Sequence, residues 1–554
     1  MDENGGRQPG PNEPWIPSRH EATGEPWGQP SYPQSPSYPP SPAYVQPPAY
    51  VQPPQYLQQP GYGHGAPDAV LAPPPPARRR RWPWIAGSVG AAVVLLAAGG
   101  SVVAYQALSG GGRQPDSVLP AGNAVAFTRI DLDPSASQKI AAYRFLRKLP
   151  HGSNAFPDSG DLRKSLFDYV SDNSPASDKI DYDRQIKPWL GERAGVVVRM
   201  SGGHPTVIGA IQVSDQGKAE QSIRELDKSG DEPVALAYSH GYMLVGQTQS
   251  VVDAALHDAD TAPLSKNADF QTDMKRVGSQ GVVSGWANLD ALASQLPEQY
   301  ASAAGQLQGR LSFTLRFSAN AAELVFKSTS KATAAPAASG FPSVADLPAD
   351  TAVAVSSGSF GASIDAGWKE FQKQLDQFGG GDAIDQIQQQ YGITLPGDLD
   401  TLLGSRLLFS MGSKTTGDGL PELGVRTRTD GAAAVKVLDK ISSALGQNGG
   451  ELPVKYRATT DGIAVATDES YLSVLSGKAG SRLGDTAAFR AAAPDAGAAD
   501  AVVFVNPAQV LSLLKEEGVS DEQVATTLEG FAGLGLTSTV ADGVSTIRVR
   551  LVTR

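Results

Sequence analysis

The stretch LPAGNAVAF, from Leu119 to Phe127, returns later in the chain as LPADTAVAV, from Leu347 to Val355. Six of the nine positions are identical. In both stretches a short apolar run follows a Leu-Pro-Ala turn, a pattern typical of a β-strand in a hydrophobic core. The recurrence predicts that the second half of this 554-residue chain repeats the fold of the first half.

Further matches follow in the same order along the chain. They pair Leu190-Gly191-Glu192-Arg193 with Leu403-Gly404-Ser405-Arg406, PTVIGAIQVSD (205–215) with PELGVRTRTD (421–430), Trp286-Ala287-Asn288 with Phe504-Val505-Asn506, and a hairpin at 311–328 with one at 534–552. Collinear order over this length is hard to explain by chance. It predicts two tandem copies, residues 116–330 and 341–554, joined by an Ala/Pro/Ser-rich linker over residues 331–340.

Strand-like and helix-like segments alternate within each copy. The first copy has predicted strands at 124–130, 195–200, 207–213 and 242–246, and the short turns between several of them favour antiparallel pairing. Asp133 before Pro134 is a good N-cap for a helix that ends near Lys148. The predicted fold class is therefore α+β, with two tandem copies of a domain made of an antiparallel sheet and helices.

An uncharged stretch precedes the first copy. Residues 82–108 are long and apolar enough to cross a bilayer as one helix, which takes about 20 residues. The start of this stretch is flanked by Arg78, Arg79, Arg80, Arg81, Trp82 and Trp84. The positive-inside bias predicts a single-pass plasma-membrane protein with residues 1–81 in the cytoplasm. A linker over 109–115 then leads to an extracytoplasmic part. A cleaved signal peptide is the alternative, but its apolar region is usually only about 7–15 residues long.

The predicted cytoplasmic tail contains a six-residue repeat, marked by Tyr32, Tyr38, Tyr44, Tyr50, Tyr56 and Tyr62. This segment is rich in proline and is therefore predicted to be disordered, with a local preference for polyproline II. Six residues make two turns of that helix, so the tyrosines share one face at intervals of roughly 19 Å. They can act as weak docking points with combined avidity. A spacer that expanded by duplication is the alternative interpretation.

LPAGNAVAFTRIDLDPS, from Leu119 to Ser135, and the helix end from Arg144 to Pro150 carry a resemblance to a known family. They resemble the start of an actinobacterial membrane-protein family, domain of unknown function 3352. The resemblance implies a Pro-rich N-terminal tail, one membrane span and a large exported domain. It lends no catalytic residues, so none is transferred to this chain.

Composition and motifs argue against several classes of chemistry. The chain has no cysteine, six histidines and a net charge of −11, and its excess of acid lies after residue 112. These features argue against thiolate chemistry, imidazole metal clusters and broad nucleic-acid binding. The HExxH, nucleophile-elbow and phosphate-loop motifs are also absent from the sequence. We therefore predict a protein that is not an enzyme, with no catalytic residue, cofactor, metal site or nucleic-acid partner.

Two acidic pairs are the best candidates for chemistry. Asp131 and Asp133 alternate along a strand, so they can face one side and share a proton or bind Ca²⁺. The second copy has Ser357-Gly358-Ser359 at that place. The simpler interpretation is that Asp133 caps a helix and Asp131 is solvated or paired with an arginine. Asp181 and Asp183 form a similar pair in a polar loop.

Three further features have both a functional and a structural interpretation, and we prefer the structural one for each. His257-Asp258 resembles half of a catalytic pair but also suits a polar helix end. The repeated Arg193 and Arg406 suit an anion site or, more simply, ion pairs at turns. The tryptophans of the predicted exterior suit a lipid or glycan platform or, more simply, core packing: Trp189, Trp286 and Trp368.

Together these features predict a single-pass, membrane-anchored extracytoplasmic protein. Its most favoured role is that of a non-catalytic binding or scaffold module of the cell envelope. The predicted partners are the lipid bilayer, through one span, and an envelope ligand that is a lipid, a polymer or a protein. An envelope hydrolase or transferase is one alternative. An adaptor whose Pro/Tyr-rich tail recruits cytoplasmic partners is the other.

Overall fold

The computed structural model describes residues 113–554 apart from gaps at 132–135, 150–162, 165–166, 168–180, 202, 228–233, 280, 296–307, 330–340, 359–366, 369–370, 374–380, 418, 478–479, 517 and 519–520. The predicted tail and the predicted span at 82–108 lie outside the described residues. Within the described residues, no helix is long and apolar enough to cross a membrane.

Sixteen strands form one antiparallel sheet. The first eight are β1 (Ala124–Asp131), β2 (Leu190–Ser201), β3 (His204–Val213), β4 (Ala235–Ser239), β5 (Tyr242–Gly246), β6 (Val283–Asn288), β7 (Arg310–Ser318) and β8 (Ala321–Ser328). The second eight are β9 (Val353–Ser357), β10 (Arg406–Thr415), β11 (Pro421–Arg428), β12 (Lys455–Thr459), β13 (Gly462–Ala466), β14 (Ala501–Val505), β15 (Phe531–Ala541) and β16 (Val544–Thr553).

The α-helices of the described residues fall between these strands. Those before β9 are α1 (Ala136–Leu146), α2 (Gln216–Asp227), α3 (Gln249–Thr261), α4 (Ala268–Val277) and α5 (Leu289–Ala293). Those after β9 are α6 (Gly381–Tyr391), α7 (Gly397–Leu403), α8 (Gly431–Gln447), α9 (Glu469–Ser476), α10 (Ala487–Ala492), α11 (Pro507–Glu516) and α12 (Glu522–Glu529). The predicted α+β class, an antiparallel sheet with helices, is confirmed.

The strand order is the same when it is read from either end of the sheet. From one edge it runs β4, β5, β3, β2, β1, β6, β7, β8, and from the other edge it runs β12, β13, β11, β10, β9, β14, β15, β16. The two series meet where β8 pairs antiparallel with β16. This arrangement leaves β4 and β12, each of five residues, as the edge strands.

Two hairpin turns share the same backbone geometry. His240 and Gly241 have φ values of 50° and 86° between β4 and β5, and Asp542 and Gly543 have values of 51° and 70° between β15 and β16. Positive φ at both central residues is the signature of the type I′ turn, whose twist suits a two-residue hairpin. Glycine adopts that backbone region without steric cost, which explains its place in both turns.

Helices cover both faces of the outer parts of the sheet. In β5, Leu244 packs in a core with α3 and α4, whereas Met243 points to the opposite face and packs with α2. In β13, Ala464 packs in a core with α9 and α10, and Ile463 points the other way toward α8. Alternation along a strand places successive side chains on opposite faces, so both faces need an apolar cover.

The strands predicted at 124–130, 195–200, 207–213 and 242–246 are all present, and three of them are longer than predicted. The first, β1, extends to Asp131, and β3 begins at His204. The strand predicted at 195–200 begins instead at Leu190, and its pairing with β3 shifts register between Leu190 and Ala194. A β-bulge of this kind lets the strand continue through Glu192-Arg193. The sequence pattern alone places these two residues before the start of the strand. Asp133, the predicted N-cap of the first helix, lies outside the described residues.

The junction between β8 and β16 yields a stability prediction. Val325 lies in β8 between Thr314 of β7 and Arg548 of β16, so a proline there removes a ladder hydrogen bond in the middle of the sheet. We expect Val325→Pro to lower the free energy of unfolding of the full chain by about 2–3 kcal/mol or more. Urea unfolding followed by circular dichroism measures this change.

Tyr238→Pro is the matched control for that variant. Tyr238 lies on the edge strand β4, one position before the residue that flanks the two-residue turn. The residues that flank such a turn form the hydrogen-bonded pair, so the N–H of Tyr238 points away from β5. We expect a loss below about 1 kcal/mol for the control. Equal losses in both variants would contradict the importance of the central pairing.

Candidate functional site

A buried group of charges lies on β1 and β2. Arg129 and Asp131 alternate onto the same face of β1, and Asp131 faces Arg193 of β2. Arg129 is 6% exposed and Arg193 only 1%. The Nε atom of Arg193 lies 3.6 Å from Oδ2 of Asp131. Of the two structural roles predicted for Asp131, solvation or pairing with an arginine, the structure shows the pairing, and the repeated Arg193 forms an ion pair.

The segment that enters the first half of the sheet lies over this group. The guanidinium of Arg129 donates a hydrogen bond to the side-chain oxygen of Gln114. The hydroxyl of Tyr242 donates to the carbonyl oxygen of Arg113 at 2.6 Å. Pro115 packs so closely over Gly195 that a Cβ on that glycine would come within 2.6 Å of the proline ring. These contacts fix the entering chain against the sheet, in a structure that we call the entry clamp.

Electrostatics in the entry clamp follow from burial. Burial raises the pKa of the Asp116 carboxyl above its usual value, and the nearby Arg129 opposes that rise. Burial likewise lowers the pKa of the Arg129 guanidinium, while Asp131 and Asp116 act to raise it. Two arginines and two aspartates therefore neutralise one another at low exposure, which is how buried charges are tolerated. This arrangement suits a structural attachment.

The second half of the sheet also buries arginines, and their partners differ from those in the first half. Arg426 of β11 is 6% exposed and donates to the carbonyl oxygen of Leu475 at 3.0 Å and to Oγ1 of Thr459 at 3.1 Å. It also donates to the carboxylate of Asp461. Arg406, the predicted counterpart of Arg193, is 8% exposed at the start of β10. Both repeated arginines are thus largely buried in the structure.

Asp273 of α4 forms a second buried ionic group. Its side chain is 2% exposed, and Oδ2 accepts hydrogen bonds from Nε1 of Trp286 at 3.0 Å and from Nε of Arg310 at 2.6 Å. Its Oδ1 accepts from Arg276 at 2.8 Å. Sequence reasoning did not single out Asp273, although its spacing of three residues from Arg276 on a helix was visible.

A third charged group lies where β7, β8 and β16 run side by side. Glu323 of β8 faces Arg316 of β7 on one side and Arg550 of β16 on the other. Its carboxylate oxygens lie 3.6 Å from Nε of Arg316 and 3.7 Å from Nε of Arg550. A third guanidinium, that of Arg548, donates to Oε2 of Glu323 at 3.3 Å. We call these four residues the junction cluster.

The junction cluster differs from the entry clamp because its arginines outnumber its carboxylates. Three arginines surround Glu323, and Asp495 adds a second carboxylate 3.1 Å from Nε of Arg548. Burial lowers the pKa of the Arg316 guanidinium; Glu323 opposes that shift, and Arg548 adds to it by charge repulsion. The arginine side chains are 21–29% exposed, so solvent and solutes reach them. This cluster is the candidate binding site.

The remaining candidate pairs from the sequence have structural roles. Asp181 accepts a hydrogen bond from the backbone N–H of Arg184 and so caps the helical turn at Tyr182–Ile186. Asp183 pairs with Lys187 at 2.9 Å, and this hydrogen bond lowers the pKa of its carboxyl. Asp258 pairs with Arg199 at 2.7 Å. His257 beside it is exposed. The preferred structural interpretations are confirmed for these acids.

The tryptophans of the predicted exterior have different environments. Trp189 and Trp286 are 4% and 3% exposed, and both donate their indole N–H, to the carbonyl oxygen of Gln185 and to Asp273 respectively. Core packing is confirmed for both. Trp368 is half-buried, with its ring 5.6 Å from that of Phe371.

The predicted membrane-flanking residues and tail tyrosines lie outside the described residues: Arg78, Arg79, Arg80, Arg81, Trp82, Trp84, Tyr32, Tyr38, Tyr44, Tyr50, Tyr56 and Tyr62. Within the part of the chain that the structure describes, no three His, Asp or Glu residues are grouped so that they could hold a metal ion. No family model matches the chain, and no curated protein matches it either. Membership of the family named above stays a prediction.

The Asp273 group yields a prediction with an internal control. Asp273→Ala leaves Arg310 and the indole N–H of Trp286 without their acceptor, so we expect the free energy of unfolding to fall by about 3–5 kcal/mol. Asp269 contacts the same Arg310 at 3.3 Å but is 58% exposed. We expect Asp269→Ala to cost less than about 1 kcal/mol. Chemical unfolding of both variants tests this, and similar losses would contradict the assigned role of burial.

Proposed function

We propose that this protein is a membrane-anchored, non-catalytic binding module built from two copies of one domain. The support for duplication lies in the strand register at the junction. Val325 and Arg548 are each the fifth residue after their hairpin turns, and they face one another. The third residue of each strand faces the seventh of the other, which pairs Glu323 with Arg550 and Thr546 with Lys327.

Strands β8 and β16 would have this register if they were related by a two-fold axis between them. A two-stranded contact about such an axis must pair equivalent residues reciprocally, as in an isologous dimer. The strand order, read identically from both edges, has the same symmetry. We therefore infer that residues 116–330 and 341–554 are fused copies whose last strands pair as two subunits of a dimer would.

The observation that carries the binding role is the charge excess of the junction cluster. A fold needs no unbalanced charge at a position of low exposure, because bringing charge out of water costs free energy. Three arginines against the carboxylates of Glu323 and Asp495 therefore indicate a site that an anionic group completes. The continuous sheet holds these side chains in place before any ligand arrives, and such preorganisation lowers the entropic cost of binding.

The anchor in this proposal is the span predicted at residues 82–108. The entry clamp follows it directly in the sequence, with Arg113 and Gln114 held against β5 and β1. A chain attached so soon after a membrane helix would limit how the sheet can turn relative to the bilayer. We infer a module presented close to the outer face of the plasma membrane, with the Pro/Tyr-rich tail in the cytoplasm.

The membrane topology has a direct test, because the chain has no cysteine of its own. We expect Ala254→Cys, on the exposed side of α3, to react with a membrane-impermeant maleimide on intact cells. We expect Ser41→Cys, in the predicted tail, to react only after the membrane is permeabilised. Labelling of Ser41→Cys on intact cells would contradict the proposed orientation, and the unsubstituted chain controls for background.

The binding role has its own test. We would purify the full chain from its native envelope in a non-ionic detergent, denature it, and identify the released molecules by mass spectrometry. The proposal predicts a stoichiometric envelope molecule, retained equally by a variant that lacks residues 31–62 of the tail. A preparation that carries no such molecule would contradict the proposal. Loss of the molecule with the tail would instead move the binding site to the tail.

A further inference from the structure

We propose that the junction cluster binds a phosphate group, carried by an anionic lipid headgroup or present as free phosphate. This inference rests on the proposed binding function and names the chemistry of its site. The site comprises Arg316, Arg548 and Arg550, with Lys327 on the same face of β8 as Glu323. Three arginines contact the carboxylates of Glu323 and Asp495, and Lys327 adds a fourth cation on the same face.

The hydrogen-bond donors of the cluster are the first support. The Nε atoms of all three arginines are shielded from solvent and face carboxylates at 3.1–3.7 Å, but none has a well-aligned hydrogen bond to a described residue. A guanidinium presents its donors as a rigid planar fork, which fits the oxygens of a phosphate two at a time. An incoming phosphate would bind the guanidinium groups from their solvent-exposed side and share them with the carboxylates of Glu323 and Asp495.

The asymmetry across the two-fold axis is the second support. The position that Arg548 occupies in β16 is Val325 in β8, and Glu323 is matched by Thr546. The same backbone thus forms on one side of the axis with a valine and a threonine. The fold therefore does not require an arginine and a glutamate at these positions. Their presence on one side only indicates a role beyond pairing the strands.

The surroundings of the cluster are the third support. Helix α4 packs against β7 and β8, and α10 packs against β15 and β16, so one helix from each half flanks the junction. Arg316 donates to the carbonyl oxygen of Val277 at the end of α4, which fixes its guanidinium. Asp495, 43% exposed, contacts Arg548 from the turn after α10. An exposed carboxylate at that place is one that a ligand can displace.

The excess of charge selects the ligand class. Four cations against two carboxylates leave two positive charges, which matches a phosphate ester or free phosphate of one to two negative charges. Neutral glycans offer no charge to the arginines. Nucleic acid needs a long row of cations, and the chain as a whole carries a net charge of −11.

The test uses the full chain in non-ionic detergent with two probes, inorganic phosphate and short-chain phosphatidylglycerol, titrated by calorimetry. We expect saturable binding that Arg550→Gln weakens roughly tenfold or more, since a charge-assisted hydrogen bond is lost. Arg550→Lys keeps the charge and loses the fork, so an intermediate affinity is expected. Arg457→Gln is the control, because Arg457 lies on the exposed edge strand β12 and pairs with Glu469.

Glu323→Gln gives the sharpest outcome, because it removes the carboxylate that competes with the ligand. A phosphate site predicts tighter binding of both probes by this variant, by roughly tenfold. A purely structural ion cluster predicts no binding by the wild type or by Glu323→Gln, and that result would overturn the inference. Binding of phosphatidylglycerol without inorganic phosphate would identify the lipid headgroup as the source, and comparable binding would identify free phosphate.

The failure of this inference differs from the failure of the proposed function. If the molecule co-purified from the native envelope remains bound to Arg550→Gln in full amount, the module binds a ligand elsewhere and the phosphate site is wrong. If neither the wild type nor any variant carries a molecule or binds a probe, both proposals are wrong. Thermal unfolding of each variant verifies that it is folded before binding is compared.

Discussion

The antiparallel pairing of β8 with β16 is the contact on which the rest of the architecture depends. An unpaired strand at that place would expose a row of backbone N–H and C=O groups and invite pairing with another chain. Joining the two halves covers both inner edges at once. It also moves the free edges of the sheet to β4 and β12, each only five residues long. Short edge strands are one way in which proteins limit association through their edges.

Both halves of the sheet bury charged side chains beside aromatic rings. The first half buries Arg129, Arg193 and Asp273, and the second half buries Arg406 and Arg426. The rings of Phe270 and Trp286 pack in the first core and those of Phe489 and Phe504 in the second, with centres 5.8 and 5.2 Å apart. A satisfied buried ion pair and a well-packed apolar group are close in free energy, so one fold can accept either. The three hydrogen bonds that Asp273 accepts show how completely one buried carboxylate can be used.

The junction cluster differs from the other buried charged groups in the balance and exposure of its charges. In the entry clamp and around Asp273, charges of opposite sign meet at low exposure and support the structure. At the junction the cations outnumber the acids, and the side chains stay partly exposed. The positions related to Arg548 and Glu323 by the two-fold axis hold Val325 and Thr546 instead. A charge excess held on a rigid sheet between two halves has the properties of a ligand site, and the proposals above rest on that difference.

The sequence by itself determined the local elements and their order. The repeated LPAGNAVAF stretch predicted β1 and β9, and the strand-like patterns at 195–200, 207–213 and 242–246 predicted β2, β3 and β5. These features depend on residues close together in the chain, so their physical causes are visible in it. For Asp131 the sequence left open solvation or an arginine partner, and only the structure identified Arg193 as that partner.

Only the tertiary structure decided which strands became neighbours and which side chains met. The pairing of β8 with β16 joins residues more than two hundred positions apart, and no local pattern records such a contact. The junction cluster brings Arg316 and Glu323 together with Arg548 and Arg550, which in the sequence look like ordinary charges of two separate hairpins. Register fixes their distances, and register is set by packing across the whole sheet and by turn geometry.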